Sequence, residues 1–417
     1  MDSDSDMSEI DDSDLSDYIE SDSDSTSGSI VGGDSDDDEN SVHFPSSSQQ
    51  PGRRQVRRRR RDYNWQAANR QPPRFTFGGM QGPTAKGEVN DENNPYDYFK
   101  LFFTDMFFET LVIETNRYAS QYLTRTTLTP HARAHKWTPV TAEELERFLG
   151  LVLLTGIIDK KGRIADYWST KPPLQTPFFN QTMPRDRFQL ISSFLHFNDN
   201  DALPSDCTDK LYKIRPIFET LVEKWREVYA VGEHIAIDEG MLKWRGRLSF
   251  RVYNKDKPTK YGIKAYILAD SASGYCWNMD IYHCERKPIK ETVMGLLTNK
   301  CLGLWHSLYM DNWYNSVELS EFLLTAQVHT VGTLRKNRGS PPEINNPQNM
   351  ARHDVIARDN GHVMVLAWKD KRIVKAISTK HDSSVISITR RKKEEEVRWK
   401  RWKSQWRFVI TMSICLV

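Results

Sequence analysis

The sequence predicts a mixed protein of the α+β or α/β class, with a helical region followed by a mixed sheet flanked by helices. Two patterns carry this prediction. Between residues 95 and 230, apolar residues recur at intervals of three and four, which is typical of helices. After Gly232, short apolar runs bounded by turn residues alternate with helical stretches, which is typical of a sheet covered by helices.

The helical region is predicted to hold four helices. Thr141 with Glu144 three residues later is a capping-box signal, which places one helix start at that threonine. Pro184 marks another start. The four helices are expected at about 98–118, from 141, from 184, and at about 211–229.

The second region is predicted to begin with a strand at 234–238 and a hairpin whose turn is 271–274. A second hairpin is expected around 369–371, whereas residues 340–360 are rich in loop residues. The remaining pattern gives strands at 264–270, 275–282, 304–311, 328–334, 363–368 and 373–378, with helices at 290–299 and 317–327.

Acidic and basic residues are concentrated in different parts of the chain. Residues 1–40 hold 16 Asp and Glu and no Lys or Arg, so the small net charge of +2 hides a basic body of about +18. Residues 1–50 have too few apolar side chains to offset the entropy of ordering and are expected to be a disordered acidic arm. A basic body indicates a polyanion such as nucleic acid, although a solvated charged surface gives the same composition.

Residues 51–94 are expected to be a linker that is first basic and then rich in Pro, Gly and Asn. The basic part indicates nuclear localisation or a phosphate-binding arm, the alternative being an unstructured basic linker. Its seven arginines are Arg53, Arg54, Arg57, Arg58, Arg59, Arg60 and Arg61.

The five cysteines are an odd number without a C-x-x-C pair, which argues against a disulfide framework and against a zinc module. The chain starts without an apolar signal segment, and its longest apolar run is too short to span a bilayer. We therefore expect a nuclear or cytosolic protein that does not bind membranes.

Two aspartates are candidate metal ligands. Asp238 and Asp311 each end a predicted strand, and carboxylates at the ends of neighbouring strands face a common cleft. Hard cations such as Mg²⁺ prefer oxygen ligands of this type, and a pair of them can promote phosphoryl transfer. Taken alone, two such aspartates are weak evidence for a metal site, because most aspartates at strand ends are caps or ion-pair partners.

The residues around these aspartates form three motifs. They are Asp238-Glu239 followed by Arg245-Gly246-Arg247, then Lys257-Pro258-Thr259-Lys260-Tyr261-Gly262-Ile263-Lys264, and Asp311-Asn312-Trp313-Tyr314. In this order and spacing the sequence resembles the piggyBac transposase family and the domesticated proteins derived from it. The resemblance extends over about residues 90–390.

The resemblance implies a ribonuclease-H-like catalytic core at about 231–390, preceded by a helical dimerisation and DNA-binding domain at 95–230. The family excises and reinserts DNA at TTAA sites with three aspartates and Mg²⁺, and Asp238 and Asp311 match the first two. The resemblance also places Arg245, Arg247, Lys260 and Lys264 near the DNA backbone, the alternative being a solvated basic strand face. DNA and a second copy of the chain are the partners it implies.

The sequence departs from the family near Val397, before the Gly-Val-Asp-type segment that supplies the third aspartate. Residues 391–417 form a divergent basic tail rich in Trp, so the core is expected to be incomplete. Neither Asp382, in a predicted loop, nor the acidic run 394–396 lies on the element expected to carry a third carboxylate.

Three hypotheses follow. The first is a transposase-derived nuclear protein that binds DNA without cleaving it. The second is an active transposase whose true C-terminus is missing from this sequence. The third is a non-catalytic protein that binds chromatin or basic partners through its acidic arm. The missing third carboxylate favours the first, because the charge and geometry needed for two divalent ions are incomplete.

Overall fold

The computed structural model describes residues 61–68, 71–255, 259–285 and 287–384. The predicted acidic arm (1–50) and the divergent tail (391–417) lie outside these residues, as does the whole arginine run except Arg61. Arg61 is exposed.

Six helices occupy the first part of the described chain. They pack around a core rich in aromatic side chains, in which Phe108, Tyr167 and Phe179 are almost fully buried. The helices are α1 Pro95–Phe102, α2 Asp105–Arg125, α3 Ala142–Ile157, α4 Pro177–Thr182, α5 Arg185–Phe194 and α6 Arg215–Val228.

The helix boundaries differ from the prediction where side chains compete with the backbone. The first predicted helix is divided, because the hydroxyl of Thr104 accepts the backbone N–H of Phe107 and starts a new helix there. Thr141 caps α3 as predicted by accepting the N–H of Glu144. The Glu144 carboxylate, however, pairs with Arg187 of α5 and so ties two helices together.

Ten strands of the described residues form one large sheet, and two more form a small separate pair. The strands are β1 Gln66–Ala67, β2 Gly82–Pro83, β3 Tyr229–Ala230, β4 His234–Lys243, β5 Val252–Tyr253, β6 Tyr261–Asp270, β7 Cys276–Ile281, β8 His306–Met310, β9 Val328–Thr333, β10 Val355–Asp359, β11 Met364–Lys369 and β12 Ile373–Ser378. The helices of this region are α7 Ile289–Leu297, α8 Val317–Thr325 and α9 Pro342–Asn345.

The large sheet runs in the order β1-β10-β11-β12-β9-β8-β4-β6-β5, with β7 also paired to β6. The centre, β4-β8-β9, is parallel, and the other pairs are antiparallel. Helix α8 connects the parallel strands β8 and β9, as a parallel connection requires. The main core lies under this centre, where Ile235, Leu268 and Leu308 are fully buried.

Three segments without a predicted strand, β1, β5 and β10, nevertheless join the sheet. β10 lies in the region predicted to be loop, and β1 lies in the predicted linker and pairs with β10. Tyr63 and Trp65, next to β1, pack on the apolar cluster under β11 and β12. Further along the same predicted linker, Gly87 lies so close to the carbonyl of Val228 that no side chain fits. The linker prediction was therefore wrong for these residues, because a few aromatic and glycine positions dock the segment.

The packing of β9 against β8 depends on a glycine. A Cβ at position 332 would lie 1.9 Å from the carbonyl oxygen of Met310 and 2.5 Å from Nδ2 of Asn315. We predict that Gly332→Ala lowers the free energy of unfolding by about 1–3 kcal/mol or more, since overpacking here must displace backbone. Urea unfolding followed by tryptophan fluorescence measures the change.

Gly150 provides the matched control. It is exposed on α3, and a Cβ there meets nothing within 4 Å. Gly150→Ala should therefore stabilise the chain by about 0.5–1 kcal/mol through helix propensity. Equal stability of the Gly332→Ala variant and the unmodified chain would contradict the packing argument.

Candidate carboxylate site

The two candidate aspartates are brought together by the parallel pair β4 and β8. Ile237 lies opposite Met310 in this pair, so Asp238 and Asp311 are the next residues on adjacent strands. Ile237 and Met310 both point into the main core. Alternation along β4 directs the carboxylate of Asp238 to the other face of the sheet, which carries Ala236 and Tyr309, and Asp311 directly follows β8 at the same level.

The prediction that Asp238 ends its strand was wrong. β4 continues to Lys243 because it stays paired with β6 over its whole length, and Asp238 lies opposite Ile267 in that pair. Asp311 does follow directly on β8. The site therefore has one carboxylate in the middle of a long strand and one at the end of a short strand.

The carboxylate of Asp311 is held by backbone and lies in a desolvated place. Its Oδ1 accepts the N–H of Trp313 at 2.8 Å. Burial raises the pKa of Asp311 above its ordinary value, and the negative charge of Glu239 raises it further, against the lowering effect of that hydrogen bond and of Arg335. A positive charge placed beside this carboxylate would be favourable.

Glu239, the neighbour of Asp238, is engaged by two other side chains. Tyr314 donates its hydroxyl to Oε1 of Glu239 at 3.2 Å, and Lys264 Nζ lies 3.4 Å from the same oxygen. Burial raises the pKa of the Tyr314 hydroxyl, which keeps it a hydrogen-bond donor. Glu239 therefore places a negative charge near Asp311, and its Oε1 accepts hydrogen bonds from Tyr314 and Lys264.

Aromatic rings hold Lys264 in addition to Glu239. Its ammonium group lies 5.0 Å from the ring centre of Tyr266 and 5.2 Å from that of Trp313. The two rings stack at 5.9 Å with an interplanar angle of 14°. Lys264 is half-buried and points to Glu239, so its ammonium group does not lie on a solvated strand face.

The other three predicted DNA-contacting side chains are exposed. Arg245 and Arg247 lie in the loop after β4, and Lys260 directly precedes β6. Arg251 Nη1 donates to the carbonyl of Arg245 at 2.8 Å and so fixes the shape of that loop. These cations lie beyond the far end of β4 and not beside the two aspartates.

Several residues that support the site were missed by sequence reasoning. Asn315 donates from Nδ2 to the carbonyls of Met310 and Thr333, which fixes the end of β8 against the end of β9. Arg335 Nε donates to Oδ1 of Asn312 at 2.7 Å. The only signal for these contacts is the run of polar and aromatic residues 312–315, which the motif contains without revealing what each residue contacts.

No third metal ligand joins the pair within the described ranges. There, no three His, Cys, Asp or Glu side chains are grouped so that they could hold a metal ion. Asp382 lies in a loop after β12 and accepts the backbone N–H of Ser384, as the sequence suggested for a loop position. The acidic run 394–396 lies outside the described residues.

The sequence was compared with protein families and with curated proteins. A family model described as Transposase IS4 matches residues 94–405. The human PiggyBac transposable element-derived protein 2 is 25% identical over 334 residues, which are 76% of this chain and 54% of the relative. The human PiggyBac transposable element-derived protein 3 is 26% identical over 277 residues, 64% of this chain and 42% of the relative. The chain therefore spans about half the length of these relatives.

The fold also matches a solved structure. The piggyBac transposase in a synaptic complex with hairpin DNA, determined by cryo-electron microscopy, superposes with a TM-score of 0.63 and 27% sequence identity. The match covers 74% of this chain and 65% of that one, and it makes the large mixed sheet ribonuclease-H-like. In the portion that the structure describes, no helix is both long and apolar enough to cross a membrane. Family model, relatives and fold agree that the chain belongs to the piggyBac transposase family.

Proposed function

We propose that this chain is a transposase-derived protein that binds DNA and one divalent cation but does not cleave DNA. The observation that carries the proposal is the alignment of Asp238 and Asp311 on adjacent parallel strands. This alignment concentrates negative charge at one place on the sheet, with an exposed basic loop at the other end of β4.

The carboxylate pair fits Mg²⁺ as a resident ion. Mg²⁺ is commonly held by one or two carboxylates, with water and substrate phosphate oxygens completing its shell. Burial raises the pKa of Asp311, so its negative charge is unfavourable in the protein alone, and a bound cation would relieve this. Such an ion would supply a positive charge for a DNA phosphate, and Asp238 and Asp311 would hold it.

DNA as the partner is supported by the structural neighbour, which is a complex with hairpin DNA. It is also supported by the exposed side chains of Arg245, Arg247 and Lys260. Guanidinium and ammonium groups bind phosphates, and their affinity falls as salt rises because counterions are released on binding.

The absence of cleavage is proposed from the charge at the site. Two divalent ions need more ligand charge than two aspartates provide. Glu239, whose charge acts on Asp311, is engaged by Lys264 and Tyr314 through its Oε1. A single ion can position a phosphate but cannot stabilise both the attacking and the leaving oxygen.

The nucleus is the proposed location. The family acts on DNA, and residues 53–61 carry seven arginines of the kind that nuclear import receptors recognise. Pairing with a second copy of the chain and binding of chromatin proteins by the acidic arm remain proposals that the described residues do not address.

We predict that the purified chain binds duplex DNA and leaves TTAA-flanked duplex uncut in Mg²⁺ or Mn²⁺. Arg245→Ala and Arg247→Ala should each reduce the slope of log affinity against log salt by about 1, because each removes one phosphate contact. Fluorescence anisotropy over a salt series measures the slope, and gel analysis of end-labelled DNA measures cutting.

Arg352→Ala is the matched control. Arg352 is also exposed, but it pairs with Asp370 and precedes β10, which lies near the edge of the sheet opposite to β5. Its replacement should leave the salt slope unchanged. Metal-dependent cutting that is lost in Asp238→Ala would refute the absence of cleavage, and salt-independent affinity would refute DNA binding through phosphates.

A second prediction concerns the buried charge of Asp311. Because its pKa is raised, the folded protein holds this proton more tightly than the unfolded chain. The group therefore stabilises the fold at low pH, and this contribution is lost as the pH rises through the folded-state pKa. Asp311→Asn keeps the oxygen that accepts from Trp313 and removes the charge, so it should raise the melting temperature at pH 7 without Mg²⁺.

Isothermal titration with Mg²⁺ completes this test. Removing an outer hydrogen-bond partner of a metal ligand weakens metal binding by about 10-fold or more. Asp311→Asn changes a ligand itself, so it should weaken Mg²⁺ binding by more than about 10-fold. Asp206→Asn, a change of the same kind at an exposed turn residue, should alter neither quantity. A lower melting temperature for Asp311→Asn at pH 7 would show that the charge is compensated within the protein.

A further inference from the structure

A pair of tyrosines projects from the edge of the large sheet, away from the carboxylates. Tyr253 of β5 and Tyr261 of β6 are opposite each other in the antiparallel register. Their ring centres are 4.7 Å apart with an interplanar angle of 42°. The two side chains remain 56% and 50% exposed, so pairing does not hide them from solvent.

This exposure contrasts with the other aromatic residues near the site. Tyr314 is fully buried, and Tyr266 and Trp313 pack against the main core. Tyr253 and Tyr261 have no such core beneath them, since β5 is the last strand of the sheet and only two residues long. Their rings expose apolar surface to water, which is unfavourable.

A cation lies over one of the two exposed rings, and further cations are close to them in the sequence. The guanidinium group of Arg251 lies 5.4 Å from the centre of the Tyr261 ring. The same group donates to the carbonyls of Arg245 and Gly246, and so holds the arginine loop next to the rings. From residue 243 to residue 260 the sequence contains seven Lys and Arg and a single acidic residue, Asp256.

Exposed rings interleaved with cations match the chemistry of unpaired nucleotides. Every base has a π-face that stacks on an aromatic ring, and the phosphates on either side require positive charge. In a duplex the base faces are already covered by their neighbours. A tyrosine pair therefore adds affinity for unpaired bases and little for duplex.

We propose that Tyr253 and Tyr261 form a stacking platform for unpaired DNA bases, with Arg245, Arg247 and Arg251 holding the adjacent phosphates. The proposal rests on the DNA-binding function proposed above and names the form of DNA that this edge of the sheet selects. Because stacking reads ring faces and not base edges, the platform has little sequence preference.

A surface tyrosine pair can also serve only to hold β5 against β6, as cross-strand aromatic pairs do. The two roles differ in a measurable way. A purely structural pair affects all DNA forms equally, through stability of the edge, whereas a platform affects only DNA with accessible bases.

The experiment uses the full chain and two oligonucleotides of the same sequence. One is a blunt duplex, and the other carries a 3-nucleotide unpaired end with 2-aminopurine at its middle position. The unmodified chain should bind the second about 10-fold more tightly and quench the 2-aminopurine fluorescence by stacking. Tyr253→Ala and Tyr261→Ala should each lose most of this preference and quenching, while duplex affinity changes less than 2-fold.

Two controls separate ring stacking from other effects. Tyr253→Phe keeps the ring and should retain both the preference and the quenching. Tyr98→Ala removes a tyrosine of comparable exposure from α1 and should change neither. Circular dichroism of each variant verifies the fold, and Tyr253→Trp provides a variant that should strengthen the quenching if an alanine variant fails to fold.

The outcomes distinguish the two proposals. Failure to bind either oligonucleotide overturns the DNA-binding function. Duplex binding without preference for the unpaired end, or an equal loss for both DNA forms in Tyr253→Ala, overturns the platform and leaves DNA binding in place. Tighter binding of the same unpaired end made of RNA overturns the assignment to DNA.

Discussion

The candidate site depends on the parallel pairing of β4 and β8. This pairing sets Ile237 beside Met310 and thereby brings together two aspartates that are 73 residues apart in the chain. β8 also pairs with β9, which approaches Met310 so closely that position 332 must be glycine. Asn315 closes the arrangement by bonding both strand ends. The positions of the carboxylates therefore follow from backbone packing.

Charge at the site follows from the same packing. Because β4 continues past Asp238, Glu239 is placed on the opposite face, where Tyr314 and Lys264 bind it. Lys264 is in turn enclosed by two aromatic rings, so its ammonium group is held near one carboxylate. Glu239 is thus compensated within the protein, whereas the charge of Asp311 is costly.

The order of the elements and the central strands could be predicted from the sequence, because apolar periodicity reports which faces are buried. Prediction failed where single residues decide the outcome. Thr104 divides a helix by capping, and a few docking residues turn the segment before α1 from linker into part of the fold. The two aspartates could be named as candidate ligands because the motifs around them are specific, and the structure places them on adjacent strands. The role of Lys264 could not, because a lysine in a basic motif gives no sign that it points toward Glu239.

The length of β4 connects the carboxylate pair with the tyrosine platform. About six residues separate Asp238 from the level of Tyr261, whose carbonyl accepts the N–H of Trp244. At about 3.3 Å per residue this is roughly 20 Å along the strand. One strand of DNA rises about 3.4 Å per nucleotide, so roughly six nucleotides would reach from the proposed metal ligands to the rings proposed to stack on bases. Because β4 spans from Asp238 to the level of Tyr261, it would hold a phosphate at the first point and an unpaired base at the second at a fixed separation. A metal site alone or a basic loop alone would fix only one of these two points.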